Sequence, residues 1–93
     1  MGVIFRIAYH ELVVRDDIPS LNGAWHGRIK KAIEEKLAVA PEIFGKPLRK
    51  SLAGYRKLRV GDWRVIFRIE GKTVKIFVIA HRSMVYEQIY GRI

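Results

Sequence analysis

The sequence predicts an α+β fold: two N-terminal helices packed on one face of a small twisted, mainly antiparallel four-stranded sheet, forming a single domain over residues 1–93. Three observations predict it. One-sided helical periodicity is confined to the first half of the chain, strand-like alternation fills most of the second, and two tight links join the later strands as antiparallel neighbours. A chain of 93 residues suits one domain. No repeat, linker or low-complexity stretch divides it.

Residues 3–9 read as the first strand, with Val3, Phe5, Ile7 and Tyr9 on one side. A short helix over about Glu11–Asp17 follows and ends near Pro19, because proline has no N–H for the helical ladder. Asn22 is the N-cap of a longer helix that stops before Pro41. Its apolar residues Trp25, Ile29, Ile33 and Leu37 recur every four positions, opposite Arg28, Lys31, Glu34, Glu35 and Lys36. Such a helix must bury one side. Residues 41–54, with Pro41, Gly45, Pro47 and Gly54, form a connection. Three strands follow at about 55–60, 63–70 and 73–81, joined by Gly61-Asp62 and Glu70-Gly71-Lys72. A short helical or irregular tail, Ser83 to Ile93, closes the chain.

Side chains alternate along a strand, so parity separates the two sheet faces. One face gathers Leu58, Val60, Trp63, Val65, Phe67 and Ile69 with Val74, Ile76, Val78 and Ala80. That is the expected core beneath the long helix. The other carries Lys57, Arg59, Arg64, Arg68, Lys75 and His81, with Arg82 and Tyr86 just beyond the last strand. Ile66, Phe77 and Ile79 lie among these cations. The C-terminal tail covers them as a second small core, a partner protein covers them, or both do.

The formal net charge is +9, and all of it falls in the second half. Residues 1–45 hold six Lys/Arg and six Asp/Glu, whereas residues 46–93 hold twelve Lys/Arg against Asp62, Glu70 and Glu87. So lopsided a charge points to a polyanion, with nucleic acid the first expectation. A membrane surface fits less well, since no helix joins a basic face to a strongly apolar one. The longest apolar run, Ile76–Ala80, is far short of a bilayer span, and the first residues read as a strand rather than a signal peptide. A soluble protein is expected. The chain has no cysteine, which excludes disulfides, thiolate metal sites and cysteine nucleophiles. His10, His26 and His81 are widely spaced and match no ligand motif, so neither a metal nor another cofactor is expected.

The remaining chemistry needs only cations and an RNA 2′-hydroxyl, which can attack its own phosphate. A base must take the 2′ proton, donors must hold the charge developing on phosphorus, and the departing 5′ oxygen must be protonated. Arginines suit phosphoryl oxygens through bidentate contacts, and a tyrosine can stack on a base. Lys57, Arg59, Arg64, His81, Arg82 and Tyr86 supply these parts.

The stretch Leu52-Ala53-Gly54-Tyr55-Arg56-Lys57-Leu58-Arg59-Val60-Gly61-Asp62-Trp63-Arg64-Val65-Ile66-Phe67 resembles the central signature of the RelE/ParE toxin superfamily. His81-Arg82-Ser83-Met84-Val85-Tyr86 resembles its C-terminal motif, and Phe44-Gly45-Lys46-Pro47-Leu48 its usual connection. The RelE-like resemblance implies the toxin of a type II toxin–antitoxin pair, a cytoplasmic, ribosome-dependent endoribonuclease that cleaves mRNA by 2′-hydroxyl attack. It also implies an acidic, RelB-like antitoxin as partner, besides the ribosome and mRNA, and no metal. ParE-like relatives imply instead a non-enzymatic inhibitor of DNA gyrase; a degenerate member would only bind antitoxin or RNA. On the matching positions the base is Lys57 or His81, Arg64 holds the scissile phosphate, Arg82 assists the leaving oxygen and Tyr86 stacks on a base. Arg49, Lys50, Arg56, Arg59, Arg68 and Lys75 are the expected RNA contacts, and parity favours Lys57 over Arg56 at the central position.

Overall fold

A computed structural model describes residues 4–93. The element order is strand β1 (Arg6–Tyr9), helix α1 (residues 11–20), helix α2 (residues 23–37), a short α3 (Pro41–Phe44), β2 (Lys46–Pro47), β3 (Arg56–Val60), β4 (Trp63–Glu70), β5 (Thr73–His81) and α4 (Val85–Tyr90). The strands form one sheet in the order β1-β5-β4-β3-β2, with β1 parallel to β5 and the other neighbours antiparallel. The α+β class is as expected. The sheet has five strands rather than four, because Lys46 and Pro47 within the expected connection pair with Lys57 and Arg56. Val3, expected on the first strand, lies outside the described residues.

Both N-terminal helices contain one wide turn, and each wide turn has a sequence reason. In α1 the Ile18 N–H reaches back to the Val13 carbonyl, a five-residue span. The bond is thus completed just before Pro19, which has no donor, and the helix runs on to Ser20 instead of ending ahead of the proline. In α2 the Asn22 side chain accepts from the Trp25 N–H at 3.0 Å, the expected N-cap. A repeat of four overshoots the ~3.6-residue helical turn, so an apolar stripe so spaced drifts around the helix. The wide turn over Ile33–Leu37, closed by the Ala38 N–H on the Ile33 carbonyl, takes up that drift. Ile29, Ile33 and Leu37 consequently all reach the same core.

That core lies between the helices and one sheet face. Val13, Ile29, Ile33 and Leu37 meet Leu58, Val65, Phe67, Val74 and Ile76. The β3–β4 turn presses against α2 at Gly61, which has φ +60°. A β-carbon there would sit 2.5 Å from the Trp25 ring, so glycine is required twice over.

Strand β5 departs from simple alternation. Ile66 pairs with Val78 but Phe67 pairs with Ile76, leaving Phe77 as the extra residue of a β-bulge. Parity reverses beyond it. Val78 and Ala80, expected in the helix-side core, face the opposite side, while Ile79 joins the helix-side core. The second face is not left open. Helix α4 lays Val85 and Ile89 over Ile66, Phe77, Val78 and Ala80, and Leu52 completes this second core. Of the apolar residues expected among the cations, the tail buries Ile66 and Phe77, and the helix-side core takes Ile79.

The bulge also exposes backbone groups on the side of β5 where β1 has already ended. These are satisfied by a buried ion pair. The Ile79 N–H donates to Asp17 Oδ2 at 2.9 Å, and Arg92 donates to the Phe77 carbonyl at 2.9 Å. Arg92 also grips Asp17 with two parallel bonds of 2.7 and 2.8 Å. Both side chains are over nine-tenths buried.

Two variants test this arrangement. Arg92→Ala leaves the Asp17 carboxylate buried without its cation and should lower stability by about 3–5 kcal/mol, measured by urea unfolding. Ile33→Asp places an unpaired carboxylate in the main core and should prevent cooperative folding altogether. A native-like unfolding curve for Ile33→Asp would overturn the helix face described.

Candidate nucleic-acid interface

The cations group around β3, the strand in which Lys57 and Arg59 share a face by alternation. Register then fixes their neighbours. Lys46 on β2 lies directly across from Lys57, and Arg64 on β4 directly across from Arg59. Lys46, Lys57, Arg59 and Arg64, together with Phe44, line a cavity of about 220 Å³ that contains no carboxylate. Four like charges around one hollow repel one another, and an anion relieves that repulsion.

Local bonds orient two of them. Arg64 Nη1 donates to the Gly61 and Trp63 carbonyls at 2.8 and 2.9 Å, which anchors the guanidinium by one nitrogen and leaves its other N–H groups for a ligand. Lys57 Nζ donates to the Tyr86 hydroxyl at 3.2 Å and lies 5.9 Å from the centre of that ring. Tyr86 comes from α4, so the apolar packing of Val85 and Ile89 sets where its phenol stands. The Tyr86 ring remains 40 % exposed. Arg82, just past β5, pairs loosely with Asp62 at 3.9 Å.

Lys57, Arg59 and Arg64 are thus brought together, with Tyr86 on Lys57, while the contacts of Arg82 are with Asp62. Other expected members stand elsewhere. His81 pairs with Trp63 in the sheet and sets its ring edge against that indole at 5.8 Å, on the helix side. Its Nδ1 lies 2.9 Å from the Ser83 hydroxyl. The bulge accounts for this, since one extra residue moves every later side chain to the other face. Arg56 also turns away from the cavity, and its guanidinium donates to the Gly45 and Glu42 carbonyls at 3.0 and 3.3 Å. Arg68 and Lys75 keep to the expected face but away from the cavity, over the rings of Tyr55 and Phe77 at 5.7 and 5.1 Å. Arg49 and Lys50 are exposed on the loop after β2.

Two lining residues, Phe44 and Lys46, were visible in sequence only as part of the connection; strand β2 is what aligns Lys46 with Lys57. A second cavity of about 210 Å³, between α1 and α2, is lined chiefly by Tyr9, Ile18, Leu21, Ile29 and Ile33. Burial, and then the nearby Glu34, push the Tyr9 phenol above its ordinary value. This hollow is apolar and holds none of the expected site residues.

Comparison with known proteins bears on this geometry. The family model described as the ParE toxin of the type II toxin–antitoxin system parDE matches residues 8–86. Toxin RelG of Mycobacterium tuberculosis is 39% identical over 54 residues, which are 56% of this chain and 62% of that relative, under two thirds of its length. In the solved RelBE2 toxin–antitoxin complex of M. tuberculosis, a chain 29% identical superposes with a TM-score of 0.79, covering 87% of this chain and 94% of that one. The RelB–RelE complex of Methanococcus jannaschii offers a similar fold at 24% identity, with a TM-score of 0.67 over 86% of this chain and 95% of that one.

The contrast between Arg56 and Arg59 is measurable. Arg56→Ala removes two bonds to backbone carbonyls and should lower stability by about 1–2 kcal/mol, with the salt dependence of nucleic-acid binding unchanged. Arg59→Ala should do the reverse, reducing the slope of log affinity against log salt by about one at wild-type stability. Equal salt slopes for Arg59→Ala and wild type would remove Arg59 from the interface.

Proposed function

Because this chain belongs to the ParE toxin family of type II toxin–antitoxin systems, we propose that its toxicity is that of a metal-independent endoribonuclease acting on ribosome-bound mRNA in the cytoplasm. The observation that carries the reading is the carboxylate-free cavity of Lys46, Lys57, Arg59 and Arg64, with the Tyr86 hydroxyl on Lys57. An inhibitor that works by covering another protein has no need of four converging cations.

The reaction is attack of a 2′-oxygen on the adjacent phosphorus. Its proton passes to Lys57 Nζ, which the Tyr86 hydroxyl orients; Lys57 is preferred over His81 because His81 lies on the helix side of the sheet. Arg64 and Arg59 hold the non-bridging oxygens while charge builds on them, the role in which preorganised donors are most effective. The phosphorus–O5′ bond breaks, and the 5′ oxygen takes up a proton from water while the Arg82 guanidinium assists by its charge. A 2′,3′-cyclic phosphate and a 5′-hydroxyl result. The exposed face of Tyr86 is available to stack on a neighbouring base and keep the attack in line.

An acidic, RelB-like antitoxin is the proposed partner, since the relatives of known structure include toxins in complex with antitoxins. Neutralising the cavity would suffice for inhibition, by occupying the phosphate positions with carboxylates. No helix among the described residues is long and apolar enough to cross a membrane. One observation favours a second reading, non-enzymatic inhibition of DNA gyrase: the matching family model is described by its ParE member.

The test is cleavage of mRNA in a purified translation mixture. Arg64→Ala should slow single-turnover cleavage by roughly 10²–10³-fold, as for loss of one preorganised donor, whereas Arg68→Ala should leave the rate nearly normal. A 2′-deoxy residue at the scissile position should stop the reaction while the toxin still binds. Normal cleavage of that substrate would sink the mechanism, and intact mRNA alongside inhibited gyrase supercoiling would establish the second reading.

A further inference from the structure

The cavity that carries the proposed function has a wall the catalytic scheme does not use. Phe44 is a large aromatic residue left 45 % exposed at the edge of the sheet. Its outer surroundings are polar, with Lys36 Nζ 5.7 Å from the ring centre. The segment bearing it is nevertheless fixed. At Gly45 a β-carbon would lie 2.1 Å from the Phe67 ring and 2.8 Å from the Pro41 carbonyl, so the absence of a side chain lets the segment press onto β4. Arg56 holds it from β3 through the Glu42 and Gly45 carbonyls. Pairing of Lys46 with Lys57 then aligns β2 with the cation row. A rigid mount for an exposed ring beside converging cations is the arrangement that binds single-stranded nucleic acid, in which bases stack on aromatic faces while cations track the phosphates.

We infer that Phe44 and Lys46 form a second nucleotide subsite, in which Phe44 stacks on the base of a nucleotide flanking the scissile pair and Lys46 meets its phosphate. The inference rests on the proposed action on RNA and specifies how the substrate strand is held. Tyr86 contacts Lys57 but does not line the cavity, whereas Phe44 does, so the two exposed rings serve different nucleotides. Stacking platforms accept any base, so this subsite adds affinity and fixes the path of the strand without requiring a particular sequence.

The experiment measures binding of 2′-O-methyl RNA, which cannot react, at low salt by fluorescence anisotropy. A dinucleotide and a tetranucleotide are compared with the wild type, Phe44→Ala, Phe44→Leu, Phe44→Trp and Lys46→Ala. The expected result is that both Phe44→Ala and Phe44→Leu weaken the tetranucleotide on the order of tenfold, the size of one lost stacking contact, with little change for the dinucleotide. Phe44→Leu keeps apolar bulk, so a loss shared by both variants reports stacking rather than folding. Phe44→Trp should restore the affinity, and Lys46→Ala should lower the salt slope for the tetranucleotide by about one. Tetranucleotide affinity unchanged in both Phe44→Ala and Phe44→Leu overturns the subsite while leaving the proposed RNA cleavage intact. Failure of the wild type to bind the tetranucleotide more tightly than the dinucleotide likewise overturns the subsite, and cleavage in the translation mixture decides the proposed function separately.

Discussion

The architecture depends on how one bulge in β5 is satisfied. A β-bulge breaks the hydrogen-bond ladder, and here it falls where β1 no longer covers the strand. Two groups from opposite ends of the described chain fill the gap. Asp17 from α1 accepts from Ile79, and Arg92 from the tail donates to Phe77 while closing on Asp17. Buried ion pairs add little stability by themselves, but one whose remaining bonds all go to backbone groups fixes a single geometry. Once that geometry is set, Ile79 faces the helices, Val78 and Ala80 face α4, and Tyr86 comes to rest on Lys57.

This constraint also explains what could be read from the residues alone. The boundaries of β4 and β5, the Asn22 cap and the buried stripe of α2 were legible, because each follows from a local pattern that the tertiary structure leaves undisturbed. So was the cluster of Lys57, Arg59 and Arg64, which depends only on alternation within β3 and β4 and on one tight turn. Alternation failed at Phe77, since nothing in Ile76-Phe77-Val78-Ile79 marks which of these apolar residues is the extra one. His81 was assigned to the wrong face for that reason alone. Asp17 gave no signal either: it stands beside Asp16, and the chain offers nothing local to say that one is exposed and the other buried. Its partner is 75 residues away. Strand β2 was missed because two residues cannot display a period.

The charges are sorted as well as numerous. Asp62 and Glu70, two of the three acids in the second half, stand beside Arg82 and Arg68. None lines the cavity. The like-charged pairs Lys46/Lys57 and Arg59/Arg64 face each other across adjacent strands, an arrangement that weakens the sheet. The hydrophobic layers above and below offset that weakness. Added salt should therefore act in opposite senses, easing the internal repulsion of the free protein while reducing its hold on a polyanion.

The strand order carries a consequence for how the molecule comes into being. Strand β1 has one neighbour, β5, and β5 is the last strand along the chain. The hairpins β3–β4 and β4–β5 join residues close in sequence, but β1 and the helices that follow it wait for Thr73–His81 before they have a complete surface to cover. Closing the β1 edge of the sheet thus waits on a distant pairing, the kind that slows assembly. A nascent chain halted before Thr73 would carry Lys57, Arg59 and Arg64 without the helix that brings Tyr86. The cation row and the tyrosine that rests on it therefore meet only in the completed fold.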